Sequence, residues 1–278
     1  MPEPQPTGPP RFNAGAVSFL NARPLIHGLE DDPRVALVRA VPSRLPDMLD
    51  AGAVDVGLVP VVDTVRRRRA WPIVSNACIG CGGATLTVRI FSRVDPADIE
   101  TLHVDADSHT SIALASIIWR EKYKRELKLI PWSQATKTSD AIPSDCQAVL
   151  LIGDKVIQPP VGVDVFSTQI DLGATWRSLT GLPFVFAVWA VTDRTSATDA
   201  GVMANVLESA RDAGVGSAEQ IATDYGPRMG WPTELASRYL TEFLNFTLGP
   251  REREGMQLFL DMAQRHDPST TSQDAVFA

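Results

Sequence analysis

Ser18-Phe19-Leu20-Asn21-Ala22-Arg23-Pro24-Leu25 and Thr180-Gly181-Leu182-Pro183-Phe184-Val185-Phe186-Ala187 lie far apart in the chain, and burial alone explains neither. A buried strand wants an unbroken Val/Ile/Leu run. The first stretch instead ends a short apolar run with Ser, Asn and Arg, then a Pro that removes a backbone donor. A polar cluster at the carboxyl end of a strand is where an open α/β sheet presents its ligands. The second stretch sets Thr-Gly and a Pro directly before an apolar strand, as a bend and a wall would. Together they predict a cleft with two sides.

Outward from these stretches the chain reads as two α/β units. Residues 16–20, 35–41 and 55–61 read as strands. Between the last two, Ser43 caps a short helix with Leu45, Met48, Leu49 and Ala53 on one face. Strand, helix, strand in this order implies parallel pairing. Residues 62–69 read as helical, with arginines 66–69 as its solvated end. Residues 73–92 read as extended, turning at Gly82-Gly83.

A second unit begins at Thr101, with strands over 101–104, around Leu127, Leu129 and Ile130, and over 148–152, 163–167 and 184–192. Its helix spans 112–123. Helices then fill 199–213, 217–225, 232–246 and 250–266. One compact unit, an inserted second unit and a return with C-terminal helices is the plan of a bilobal, type II periplasmic-binding-protein-like α/β fold. Lobe one would hold 1–95 and 188–278, lobe two 96–187, with a double-crossing hinge near 92–98 and 186–189. Ligands in such folds sit between the lobes.

Bulk properties agree with a globular chain of 278 residues, 44% hydrophobic and 21% charged. Its 26 Lys and Arg against 33 Asp and Glu give a net charge of −7, which argues against a nucleic-acid partner. An anionic ligand would then need local donors. No apolar stretch approaches the roughly 20 residues of a membrane span. Residues 1–10 contain five prolines and no apolar core of a secretory signal, so a cytoplasmic location is expected. That segment and the Ser/Thr/Asp-rich end from Asp267 read as disordered tails. Monomer and homodimer are both open.

Cys78-Ile79-Gly80-Cys81 has metal-ligand spacing, but no second pair accompanies it, and small buried residues beside a glycine turn is the plainer reading. No Walker loop, dinucleotide fingerprint, HExxH or nucleophile elbow occurs, so the expected chemistry uses no cofactor and no metal. Ser108-His109-Thr110-Ser111 opens a helix directly after a strand. Free N–H groups and hydroxyls there make an anion site, with N-capping by Ser108 or Thr110 as the alternative. Asn21 reads as a ligand-facing amide or as a turn residue before Pro24. Thr85 and Thr87, after two glycines, fall on one face if the segment is a strand. Asp154, after Gly153, reads as a hydroxyl-binding or acid–base carboxylate or as a helix cap. Trp176 reads as packing or as a stacking platform, in a helix capped at Asp171.

Taken together, residues 18–25, 55–60, 83–93, 105–111, 150–154, 171–189 and 239–263 resemble the menaquinone biosynthetic enzymes of the futalosine pathway, and among them the chorismate dehydratases. The blocks cover nearly the whole chain except its tails. The resemblance implies a bilobal fold, no cofactor, and conversion of chorismate to 3-[(1-carboxyvinyl)oxy]benzoate with loss of water. It implies Asn21 and Thr87 as catalytic residues. It places Ser18, Leu20, Pro60, Val61 and Thr85 against substrate, with Ser108, Thr110, Ser111, Gly153, Asp154 and Trp176. Two departures stand out. Thr87 occupies a position where the family often has Ser, keeping the hydroxyl, and Val61 one where it often has Ser, losing it. The sister enzyme of the pathway, 1,4-dihydroxy-6-naphthoate synthase, shares the fold but carries a His in an Ile-His-Glu-like turn where this chain has Ile152-Gly153-Asp154. A non-catalytic solute-binding protein is expected to carry an export signal or a lipid-anchor Cys near its start, and residues 1–10 have neither.

Overall fold

The computed structural model describes residues 11–66, 70–105, 108–132 and 142–266. Both tails and three of the four clustered arginines lie outside them. Chain order begins with β1 (Phe12–Val17), β2 (Val35–Ala40), α1 (Leu45–Asp50), β3 (Val56–Pro60) and β4 (Ile73–Cys81). It continues with β5 (Val88–Ser92), β6 (Thr101–Asp105), α2 (His109–Ile118), β7 (Lys128–Trp132), β8 (Ala148–Ile152) and α3 (Asp154–Ile157). Next come β9 (Thr168–Asp171), α4 (Leu172–Thr180), β10 (Phe184–Ala190), α5 (Ala197–Gly216) and α6 (Ala218–Tyr225). α7 (Thr233–Arg238), β11 (Asn245–Thr247) and α8 (Pro250–His266) complete it.

The strands form two sheets, ordered β11-β4-β10-β3-β1-β2 and β7-β6-β8-β5-β9. In the first, β1 pairs in parallel with β2, Phe12 opposite Val35, and with β3, Ala14 opposite Val56. β10 returns antiparallel between β3 and β4, Ala187 opposite Pro60. Every residue of β3 is buried, as a strand covered on both faces requires. The second sheet pairs β6 in parallel with β7 and β8, while β5 runs antiparallel to β8 and β9.

The strands change sheets earlier than the sequence suggests. β5 pairs with β8, Val88 opposite Ile152, so the first crossing is at 82–87 rather than at 92–98. β10 belongs to the first sheet, so the return lies between Thr180 and Phe184 rather than at 186–189. The lobe boundaries at 95/96 and 187/188 shift accordingly. The first crossing is held by Asp171, whose carboxylate caps α4 at Ala174 N–H and accepts from the N–H groups of Thr85 and Leu86 at 2.9–3.1 Å. It fixes Leu86 at φ 65, a left-handed conformation costly for a non-glycine residue. Gly173 is required here: a Cβ on it would lie 2.5 Å from the Gly83 carbonyl oxygen.

Two further segments depart from expectation. The strand expected over 163–167 is a 3-10 turn at Val163–Val165, begun by left-handed Gly162, and the strand follows at β9. The helix expected over 232–246 is α7, then a π-helical turn at Tyr239–Phe243, then β11. A mainly lobe-one core holds Leu20, Leu58 and Trp189. A second apolar cluster joins residues of both sheets, Cys78 and Val185 with Ile90 and Leu150, beneath α2, α4 and α8. No helix among the described residues is long and apolar enough to cross a membrane.

Candidate active site

The carboxyl ends of parallel strands from both sheets converge on one cleft, as expected of open α/β sheets. β1 leads into a 3-10 helix at Leu20–Ile26 that carries Asn21, with Val17 and Phe19 before it. β3 ends at Leu58 and Pro60. From the facing sheet, β6 leads to the start of α2 with Ser108, His109, Thr110 and Ser111, and β8 ends at Ile152 and Gly153. The crossing gives Thr85 and Thr87, β10 gives Phe186 and Ala187, and the π-turn gives Tyr239. The enclosed space is about 630 Å³, its open mouth included.

Asn21, Thr87, Pro60, Thr85, Ser108, Thr110, Ser111 and Gly153 thus share one cavity. Thr85 and Thr87 reach it together because of the bend at Leu86, not by strand alternation. Five residues singled out from the sequence do not line it. Ser18 is exposed. Leu20 and Val61 are fully buried in the apolar clusters. Trp176 is fully buried, edge-on to Phe184 and Phe259, with its indole N–H donating to the Pro183 carbonyl at 3.2 Å. Its role is packing, because no face of the ring reaches the cleft. Asp154 sits behind the cavity wall, accepting from the indole N–H of Trp231 at 2.8 Å and from the Leu20 N–H.

Ser108 occupies the N-cap position of α2 without a side-chain cap hydrogen bond. The first bond of the helical ladder is Ile112 N–H to Ser108 C=O, so the N–H groups of His109, Thr110 and Ser111 precede it. Ser108 and Ser111 are buried, and neither hydroxyl has a partner among the described residues. The Thr110 hydroxyl is engaged instead, donating to the Phe186 carbonyl at 3.1 Å across the lobes. N-capping therefore does not account for this segment.

Opposite lies a hydrogen-bonded group. The Thr87 hydroxyl is 2.6 Å from that of Tyr239. The phenol also bonds the side-chain amide of Asn21, leaving Asn21 Oδ1 buried and without a partner. Amide donation to the phenol oxygen leaves the phenol proton for Thr87, and leaves the Thr87 proton only a long 3.5 Å bond to the Thr85 carbonyl, from which it can turn to the cavity. Burial pushes the Tyr239 hydroxyl well above its ordinary range, so it remains a donor. The ring stacks on Trp231, centroids 4.7 Å apart. Gly153, at φ 57, lets the Phe19 ring pack against it.

Tyr239 and Trp231 escape a sequence reading because they sit among apolar positions that read as packing; the signal was a buried Tyr hydroxyl needing a partner. His109 and Asp63 also come together here: Nδ1–H of His109 donates to Asp63 Oδ2 at 2.6 Å. Cys78 and Cys81 are buried, and burial pushes the Cys81 thiol up to about 12 and Cys78 further, so neither is a ready thiolate. Among the described residues no His/Cys/Asp/Glu cluster is arranged to hold a metal.

Burial raises Asp154 above the ordinary carboxylate range, against the pull of Trp231, the Leu20 N–H and Arg23. A carboxyl raised on folding holds its proton more tightly in the folded state. Its contribution therefore favours the fold at low pH and is lost as pH rises from 3.8 through the folded value. Asp154→Asn keeps an acceptor for Trp231 and removes the charge. It is expected to melt higher than wild type at neutral pH and to show no gain below about pH 4 in melts run across the pH range.

The family model for menaquinone biosynthesis matches residues 12–265. The chain belongs to the menaquinone biosynthesis family. Within reach of this family member is the chorismate dehydratase of Thermus thermophilus, 26% identical over 269 residues, covering 89% of this chain and 93% of the relative. Among solved structures, a protein of Archaeoglobus fulgidus superposes with a TM-score of 0.70 at 12% identity, covering 92% of this chain and 97% of that one. The periplasmic aliphatic sulphonate binding protein of Escherichia coli superposes with a TM-score of 0.62 at 12% identity, covering 93% of each. These two likenesses establish the periplasmic-binding-protein fold for this family member.

Proposed function

We propose that this protein is a chorismate dehydratase of the futalosine route to menaquinone. The observation that carries the reading is the pairing of two unlike walls in one cleft. One wall is the start of α2 with the free hydroxyls of Ser108 and Ser111; the other is the Asn21–Tyr239–Thr87 group with its open acceptor and donor. Between them stand apolar faces, Leu58, Ile79 and Phe186, suited to a six-membered ring. The related enzyme of Thermus thermophilus supports the same reaction.

The chemistry needs little from the protein. Chorismate carries a conjugated diene, and loss of its ring hydroxyl with the hydrogen on the ether-bearing carbon makes the ring aromatic. The enzyme holds the substrate and assists two proton movements. The α2 N-terminus takes a carboxylate through its N–H groups and the two serine hydroxyls. Thr87, accepting from Tyr239, hydrogen-bonds the departing hydroxyl, which leaves as water with the proton that the substrate's own carboxylate takes from carbon. Asn21 Oδ1 accepts from that same hydroxyl before it leaves and so orients it. The substrate's side-chain carboxylate, folded over the ring, takes the carbon-bound proton.

Incubation with chorismate, followed by absorbance and mass, tests the reaction: a new aromatic product lighter by one water is expected, and unaltered chorismate refutes it. Ser111→Ala is expected to weaken chorismate binding by about 1–3 kcal/mol, the cost of leaving a charged group short of a hydrogen bond. Calorimetry with a slow variant reads that loss directly.

A further inference from the structure

We infer that His109, oriented by Asp63, is the cationic anchor that makes this cleft select an anion. The inference rests on the reading of the cleft as a carboxylate-binding site. The chain is acidic overall, and among the described residues none that lines the cavity is Lys or Arg. Apart from the phenol of Tyr239, which is buried against Thr87, His109 is the one lining residue among those described that is able to carry charge. A dianionic substrate moved into such a space loses its hydration and needs a counter-charge.

The ring is fixed for that task. Asp63 follows β3 in lobe one and is 3% exposed, whereas His109 opens α2 in lobe two. A carboxylate only accepts, so Nδ1 carries the proton in their 2.6 Å contact. That settles which nitrogen is left: Nε2 has no partner among the described residues, on a side chain that lines the cavity with Ser108 and Ser111. In its charged form the ring donates twice, once to Asp63 and once to an incoming carboxylate. Asp63 thus does for His109 what a carboxylate does for an imidazole in other sites, holding ring plane and proton position together. Asp63 is a positioning residue and His109 the group that touches substrate.

The alternative is that the pair merely ties the lobes, and the two readings separate in a binding experiment that needs no turnover. Calorimetry compares 3-hydroxybenzoate with its neutral amide, 3-hydroxybenzamide. Wild type is expected to favour the anion by about tenfold to a hundredfold, the range for a hydrogen bond to a charged group. H109Q is expected to lose most of that preference and to raise KM for chorismate, and H109R to recover it. D63N is expected to fall between wild type and H109Q, since the ring keeps its place in the sequence but not its orientation. An anion-to-amide ratio unchanged in H109Q, or in D63N should H109Q fail to fold, overturns the inference whatever the melting temperatures do. Failure of wild type to dehydrate chorismate, with the ratio intact, strikes the proposed reaction and leaves the anion anchor standing.

Discussion

Asn21→Leu is expected to lower chorismate turnover by about 10²–10³ while leaving the melting temperature close to wild type, because it deletes one pre-placed polar group without opening a core cavity. Asn21 lies where β1 gives way to the 3-10 helix and lines the cleft, and its Oδ1 is buried and unpartnered. A buried acceptor left open by the protein costs free energy unless a ligand fills it. Leucine matches the volume, removes that acceptor, and also withdraws the amide from the Tyr239 phenol. The phenol can then turn away from Thr87, so one substitution disturbs both groups that face the departing hydroxyl. A melting curve paired with a chorismate assay separates the outcomes. A large fall in melting temperature with near-normal turnover would reduce Asn21 to a turn residue before Pro24.

Trp176→Ala is expected to cost about 3–5 kcal/mol of stability, the usual penalty for truncating a buried large aromatic. The side chain is fully buried between Phe184 and Phe259, and its N–H is satisfied by Pro183. Truncation removes the edge-to-face contacts and leaves a void under α4, at the join between the returning strand β10 and the last helix. Denaturant titration measures the loss, and KM on the protein that remains folded should stay near wild type. A raised KM with little loss of stability would instead make Trp176 a wall of the cleft.

These two residues also show where sequence reading succeeds and where it stops. The amide, Arg and Pro that interrupt an apolar run at a strand end mark Asn21 out but leave it equally a ligand-facing amide or a turn residue, and its place on the cavity comes from the fold. Trp176 was ambiguous because an indole serves a core and a binding face equally well, and only its neighbours decide. The strands of the cleft were legible: β3 and β8 are buried along their whole length, and their runs of Val, Leu and Ile say so. The sheet that β5 joins was not, since pairing Val88 with Ile152 is a contact across more than sixty residues that no local pattern encodes. Tyr239 was hidden by a π-turn, which closes with Leu244 N–H to Tyr239 C=O and turns the phenol inward where a regular helix was expected. Ser108 and Ser111 were seen as a group, but their freedom from capping is a matter of side-chain direction and belongs to the three-dimensional structure alone.

The order β11-β4-β10-β3 has a consequence for how the chain is made. On a ribosome β3 and β4 emerge early, yet the strand that separates them, β10, is more than a hundred residues behind, and β11 and α8 come last of all. One edge of β4 waits for β10 and the other for β11. Two apolar strands therefore wait with open edges while the entire second sheet is translated, the situation in which edges recruit strands from other molecules. The chain cannot mature from its N-terminus onward. β3 and β4 complete their pairing only when β10 and β11 have left the exit tunnel.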